Sequence, residues 1–400
     1  MGGKAFQTRL PNASFPRLPP SAYQCVKGHL TPLIEQFFVQ VAVPREAPEK
    51  IDYGDLDFVV CEPREGRSHA DLGDALGATE RILAVDGVRG ICHFAIPVAS
   101  LDFKDTLPSM DGNAFFQVDV QVCTSVEEWE CFVGFSSYGD LGMILGSLAR
   151  SLQLSLGHSG LKMATPLPTS PPLTLRLSSS YPQILAFFEL PVEQWTQGFT
   201  TQREIFEWVA SSPFFDARKL SSRDSPAPFA KLQARDIRPM FQNFLEFARM
   251  DSSVLLYSSP RYPGHTALDM ALEYFGRRAL YDFLLRFAEV KRYVKASFTG
   301  KQVEQWTGLK GMQVRMVMDE VRRKLGGAEL LPVEIDADSN IDPIHVTLAV
   351  WENAMFDMPL DELRQLVLDT HDEMSKTGGL EYDWKEAKKQ SAARKATKTT

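Results

Sequence analysis

Lys50-Ile51-Asp52-Tyr53-Gly54-Asp55-Leu56-Asp57-Phe58-Val59-Val60 enters an apolar run through three carboxylates. In a strand, residues i and i+2 share a face. Asp55 and Asp57 therefore point together, and Leu56, Phe58 and Val60 point the other way. The run reads as a strand with one core face and one face that carries a carboxylate pair. A second segment repeats the pattern: in Phe115 to Cys123, the side chains of Phe116, Val118, Val120 and Val122 form the apolar face, and Gln117, Asp119 and Gln121 lie opposite.

Outward from these strands, the residues from Ser21 or Ala22 to Val41 have helical spacing, interrupted by Pro32. A short helix is expected over 71–80 and a strand over 91–98. Tyr138 to Leu154 carries an apolar stripe of Leu141, Ile144, Leu145, Leu148, Ala149 and Leu152 and reads as one amphipathic helix. Ser137 and Asp140, three apart, suit its N-terminus as a capping pair. A proline- and serine-rich stretch follows, with a short strand at 173–177. Beyond about Trp195 the pattern turns helical, over 201–211, 238–250, 266–278, 280–294, 312–325 and 360–374. The expected domains are thus 1–195 with the strands, 196–330 helical, 331–384 an extension packed on the helices, and 385–400 a disordered basic tail. That tail holds six basic residues, one acid and almost nothing apolar.

Composition narrows the classes of function. A formal charge of −8 over 400 residues argues against a general basic surface for nucleic acid. Five cysteines with no CxxC spacing suggest reduced, buried thiols and an intracellular protein. No apolar run is long enough for a membrane span, and no leader is expected. There is no HExxH, GxSxG, Walker loop or strand-linked GxGxxG, which removes the usual handles for zinc hydrolases, serine hydrolases, P-loop NTPases and Rossmann enzymes.

Three carboxylates gathered on one face repel one another unless a cation neutralises them, and oxygen donors favour Mg²⁺ over Zn²⁺. Each aspartate also has an ordinary reading, Asp55 and Asp57 as turn chemistry after Tyr53-Gly54 and Asp119 as a solvated strand residue.

The order of a glycine pair (Gly2, Gly3), a helix, a strand with DxD (Asp55, Asp57) and a later apolar-Asp-apolar strand (Val118, Asp119, Val120) resembles the nucleotidyltransferase superfamily of DNA polymerase beta, poly(A) polymerases and CCA-adding enzymes. The resemblance covers roughly residues 1 to 190. It implies an α+β fold, a mixed sheet flanked by helices and followed by a mostly helical domain. It implies Asp55, Asp57 and Asp119 as catalytic ligands of Mg²⁺ or Mn²⁺, with an NTP as substrate and an acceptor hydroxyl, first of all an RNA 3′ end. Gly2, Gly3 and Lys4 would contact phosphates, with Ser137, Tyr138 and Lys162 as further nucleotide contacts. The sequence departs from the pattern in that Gly3 and Asp55 stand 52 positions apart, far beyond the usual spacing. In the helical region, Phe298 to Gly327 is similar to a glycine-punctuated turn and helix of CCA-adding enzymes, with a packed core turn around Trp306 as the other reading. Arg277-Arg278, Lys291-Arg292 and Arg322-Arg323-Lys324 either track phosphates or are solvated helix faces. Two other functions fit the same residues: an inactive nucleotide-binding scaffold, and a DxD glycosyltransferase that uses a nucleotide sugar and does not require Asp119.

Overall fold

In the computed structural model, the described residues are 4–67, 69–83, 90–100, 113–218, 238–250, 264–331 and 347–381. The alternation in Asp55 to Val60 forms β2 (Asp55–Pro63), and that in Phe115 to Val122 forms β5 (Phe115–Val122). With β1 (Phe38–Ala42), β3 (Glu80–Ile82) and β4 (Gly90–Pro97) they make a five-stranded mixed sheet in the order β1-β2-β5-β4-β3. Only the central pair, β2 and β5, is parallel.

One face of this sheet is the core. Leu56, Phe58, Val60, Phe94, Val118 and Val120 are buried there against Tyr23, Val26 and Leu30 of α1 (Pro20–Ile34) and Leu72 of α2 (His69–Ala75). Each of these side chains contributes about 1.5–3 kcal/mol by leaving water. The long helix expected to Val41 ends at Ile34, and Phe38 to Ala42 is strand instead. Its β-branched Val39 and Val41 suit an extended backbone, and its pairing with β2 outweighs the helical spacing that ran through it.

The opposite face is covered at one end by Phe6 and Phe15 of the N-terminal segment, which pack on Ala95 and Phe115, and at the other by α3 (Val126–Ser136). Trp129 and Phe132 pack there on Val59, Cys61 and Cys123, and the Trp129 indole donates to the Val59 carbonyl at 2.9 Å. Ser125 caps α3, its Oγ accepting from the Glu128 amide. The single helix expected from Tyr138 is in fact preceded by α3 and begins later, as α4 (Leu141–Ser151). Tyr138 (φ +63°) and Gly139 (φ +68°) both take left-handed backbone, which no helix can include. A second sheet, β6 (Leu154–Gly157), β7 (Gly160–Met163) and β8 (Arg176–Ser178), follows α4.

By its contacts the chain forms two units, 1–165 with 174–277, and 166–173 with 278–400. The helices α5 (Tyr181–Phe187), α6 (Val192–Gln197), α7 (Gln202–Ala210), α8 (Pro239–Met250) and α9 (Gly264–Tyr274) thus belong with the sheets, whereas the sequence places the change near 195. Aromatic packing among Phe206, Phe215, Phe244 and Phe247 ties α7 to α8. In the second unit, α10 (Arg278–Ser297), α11 (Gly300–Thr307), α12 (Met312–Lys324), α13 (Val350–Phe356) and α14 (Leu360–Thr377) surround Val303, Val317, Val321, Met355, Leu363 and Val367. The described part of the 331–384 extension therefore shares the helical core. Residues 385–400 lie outside the described residues. Cys61, Cys92, Cys123 and Cys131 are buried as expected; Cys25 is exposed. Among the described residues, no helix is long and apolar enough to cross a membrane.

Candidate functional site

Parallel pairing of β2 and β5 sets Asp57 directly opposite Asp119 and Asp55 opposite Gln117. Asp55, Asp57 and Asp119 lie on the floor of one cleft of about 910 Å³ in the first unit. The register follows from alternation: the same slide that buries Leu56 against Val118 and Phe58 against Val120 brings the aspartates to the other face.

The charges on this floor are poorly neutralised. Asp57 is exposed to the cleft that it lines. Its carboxyl is pushed up to about 7, first by desolvation and then by the neighbouring Asp55, Asp119 and Glu46 carboxylates, with Lys50 opposing. Asp55 is raised as well, by burial first and by Asp119 and Glu46, while Lys50 lowers it. Asp119 is 7% exposed. Both its oxygens accept from the Gln117 amide at 2.9 Å, and His93 Nδ1 on β4 donates to Oδ1 at 2.8 Å. That hydrogen bond raises the His93 pKa against the opposing effect of burial. Among the described residues, no group of three or more His, Cys, Asp or Glu side chains is placed so as to hold a metal ion.

One rim of the cleft is the loop that joins β1 to β2. Pro44, Arg45, Glu46, Ala47, Pro48 and Lys50 all line it. Lys50 pairs with Glu46, which also accepts from the Tyr23 hydroxyl, and the Lys50 ammonium lies 4.5 Å from the Tyr53 ring centroid. Tyr23 and Tyr53 stack at 3.9 Å. Arg45 anchors the loop: its guanidinium donates to Tyr138 Oη (2.6 Å) and the Thr196 carbonyl (2.6 Å), and its amide donates to Ser137 Oγ (3.1 Å). Gly139 admits the loop, since a Cβ there would lie 2.8 Å from Ala47 Cβ.

These contacts involve residues of the second group of expected nucleotide contacts. Ser137 and Tyr138 are buried, and their polar atoms are taken by Arg45, the Val133 carbonyl and the Trp195 carbonyl. Ser137 ends α3 rather than starting a helix. Asp140 makes no side-chain cap on α4. Its carboxylate instead accepts from the Phe241 amide in the first turn of α8 (3.2 Å) and pairs with Arg238 (3.1 Å), thereby capping a helix from another part of the chain. Lys162 is exposed on β7 of the second sheet and does not line the cleft. Gly2 and Gly3 lie outside the described residues, as does the side chain of Lys4, whose backbone opens a short 3₁₀ turn.

The basic clusters of the second unit are largely neutralised within their own helices or by neighbours. Lys291 binds Glu352, Arg322 Asp319, Arg323 Glu320 and Lys324 Glu373. Trp306 packs against the helical core, and Gly308 (φ +73°) ends α11, which accords with the core-turn reading of that segment.

Two features of the site escaped the sequence reading. The β1–β2 loop is hidden in the sequence because helical spacing runs on from α1 into β1. His93 was visible: in Ile91 to Ile96 the buried Cys92, Phe94 and Ile96 alternate with Ile91, His93 and Ala95, which places the imidazole on the aspartate face. No protein-family model and no curated protein matches the chain.

Proposed function

We propose that the protein is a metal-dependent nucleotidyltransferase, moving a nucleoside monophosphate from an NTP to an acceptor hydroxyl. The observation that supports this most is the convergence of Asp55, Asp57 and Asp119 from two parallel strands, Asp57 opposite Asp119, on the floor of one cleft. The donor set suits a hard divalent ion: oxygen ligands, crowded enough to raise the pKa of Asp55 and Asp57. Mg²⁺ held by these three residues would supply charge neutralisation at the triphosphate and acidify the acceptor hydroxyl.

The chain's own groups have separate tasks. Asp55 and Asp57, open to the cleft, bind on the nucleotide side. Asp119 is oriented by Gln117 and His93, and must share its oxygens with them or release one of them when it takes an ion. Lys50 lines the cleft and acts electrostatically on both Asp55 and Asp57, and on leaving Glu46 it would serve as the phosphate contact expected of Gly2, Gly3 and Lys4. Arg45 holds the loop in place and leaves Lys50 to meet the ligand.

An RNA 3′ end is the acceptor proposed from the sequence; the paired basic clusters of the helical unit add nothing to it. The engagement of Asp119 by Gln117 and His93 favours one second reading, a nucleotide-binding scaffold without turnover. Incubation with each α-labelled NTP, Mg²⁺ or Mn²⁺ and an RNA oligomer separates the two. Transfer that disappears in Asp119→Asn supports the enzyme; nucleotide binding without transfer or pyrophosphate release supports the scaffold.

A further inference from the structure

The cleft has a second chemistry beside its acidic floor. Along β2 and β5 the side chains after Asp57 and Asp119 on the same face are Val59 and Gln121, one strand repeat or roughly 6.8 Å further. Phe132 of α3 packs on Val59 at that level, and the exposed Ile91 pairs with Gln121 from β4. His158, in the turn between β6 and β7, stacks on the Phe132 ring at 4.1 Å and meets Phe135 edge-on at 4.6 Å. All of these side chains line the cleft that holds the aspartates. Among the described residues, neither ring nitrogen of His158 has a hydrogen-bond partner, and the side chain remains exposed. Partial burial lowers its pKa, so the ring is a neutral imidazole at neutral pH, able both to donate and to accept.

We infer that Phe132, Phe135 and His158 form a nucleobase subsite, with His158 as the stacking and edge-reading side chain. The inference rests on the nucleotide reading above. It follows from the shared cleft and from chemistry together. A planar, π-faced ring with polar edges fits an imidazole stacked on phenyl rings, and it is joined through a sugar to the phosphates that the aspartate floor would take. An aliphatic ligand would leave the ring nitrogens unused, and a purely anionic one would leave the stack unused. The base belongs either to the donor nucleotide or to the terminal residue of the acceptor.

Calorimetric titration of the intact protein with Mg²⁺ present tests this, using ATP, inorganic tripolyphosphate and the unphosphorylated dinucleoside ApA as probes. In His158→Ala, ATP should bind on the order of tenfold more weakly, as for loss of one stacking partner, with tripolyphosphate unchanged. His158→Phe, which keeps the stack, should recover most of the loss. If ApA is weakened and ATP is not, the subsite takes the acceptor's base. Unchanged affinity for both ATP and ApA overturns the inference, as does an equal loss for tripolyphosphate, which would mark a general distortion of the cleft. A wild-type protein that binds neither ATP nor tripolyphosphate defeats the nucleotide reading itself, and this subsite with it.

Discussion

At the scale of single residues, Asp57 carries the sharpest consequence. Its carboxyl titrates near 3.8 in the unfolded chain and near 7 in the fold. Between those values the folded protein binds a proton that the unfolded chain does not. The stabilisation is complete below about pH 4 and is lost as the pH rises through about 7. Asp57→Asn removes the titration. The variant should exceed the wild type in melting temperature at pH 8 by the equivalent of about 1 kcal/mol, well under the full linkage value because the group opens to water. The difference should shrink toward pH 5. Melting curves at both pH values check this, and a variant less stable than wild type at pH 8 contradicts it. A divalent ion competes with the same proton, so Mg²⁺ should stabilise the wild type more at pH 8 than at pH 5.5, and Asp57→Asn less at either.

At the scale of elements, the β1–β2 loop depends on a turn far away in sequence. Gly139 combines positive φ with a close approach to Ala47, so Gly139→Ala meets backbone strain and a contact at once. It should cost about 1–2 kcal/mol, measured by urea denaturation, and should weaken nucleotide binding through the displaced loop. Adding Ala47→Gly relieves the contact but not the strain; partial recovery in the double variant is the expected coupling, and strict additivity would contradict it. This dependence explains what the sequence could and could not show. Period-two alternation in Asp55 to Val60 and Phe115 to Val122 is a local property, and it placed three aspartates on one face before any pairing was known. The role of Asp140 is not local. Its spacing from Ser137 matched a capping pair, yet the amide it satisfies belongs to Phe241, about a hundred residues on. Likewise Phe38 to Ala42 carried helical spacing, and became strand because β2 offered it a partner.

At the scale of the molecule, the sheet unit and the helical unit have separate cores, each with its own buried set. Leu363, fully buried among Val303, Val317 and Val367, tests the second. Leu363→Ala should lower the stability of the helical unit by about 2–5 kcal/mol in a denaturant titration; a cost below 1 kcal/mol would show that this core is not packed as described. The boundary at Arg277–Arg278 was illegible because helices belonging to the two units share the same amphipathic pattern, and only contacts assign each helix to its core. The central claim concerns the floor of the sheet unit, where the register of two strands gathers three aspartates. It is tested most directly by calorimetric titration of NTP at pH 8, with and without Mg²⁺, into wild type, Asp57→Asn and Asp119→Asn. Saturable, Mg²⁺-dependent binding is expected in the wild type, lost in Asp57→Asn and reduced in Asp119→Asn. Absence of binding in the wild type, or binding indifferent to Mg²⁺ and to both substitutions, would contradict the claim.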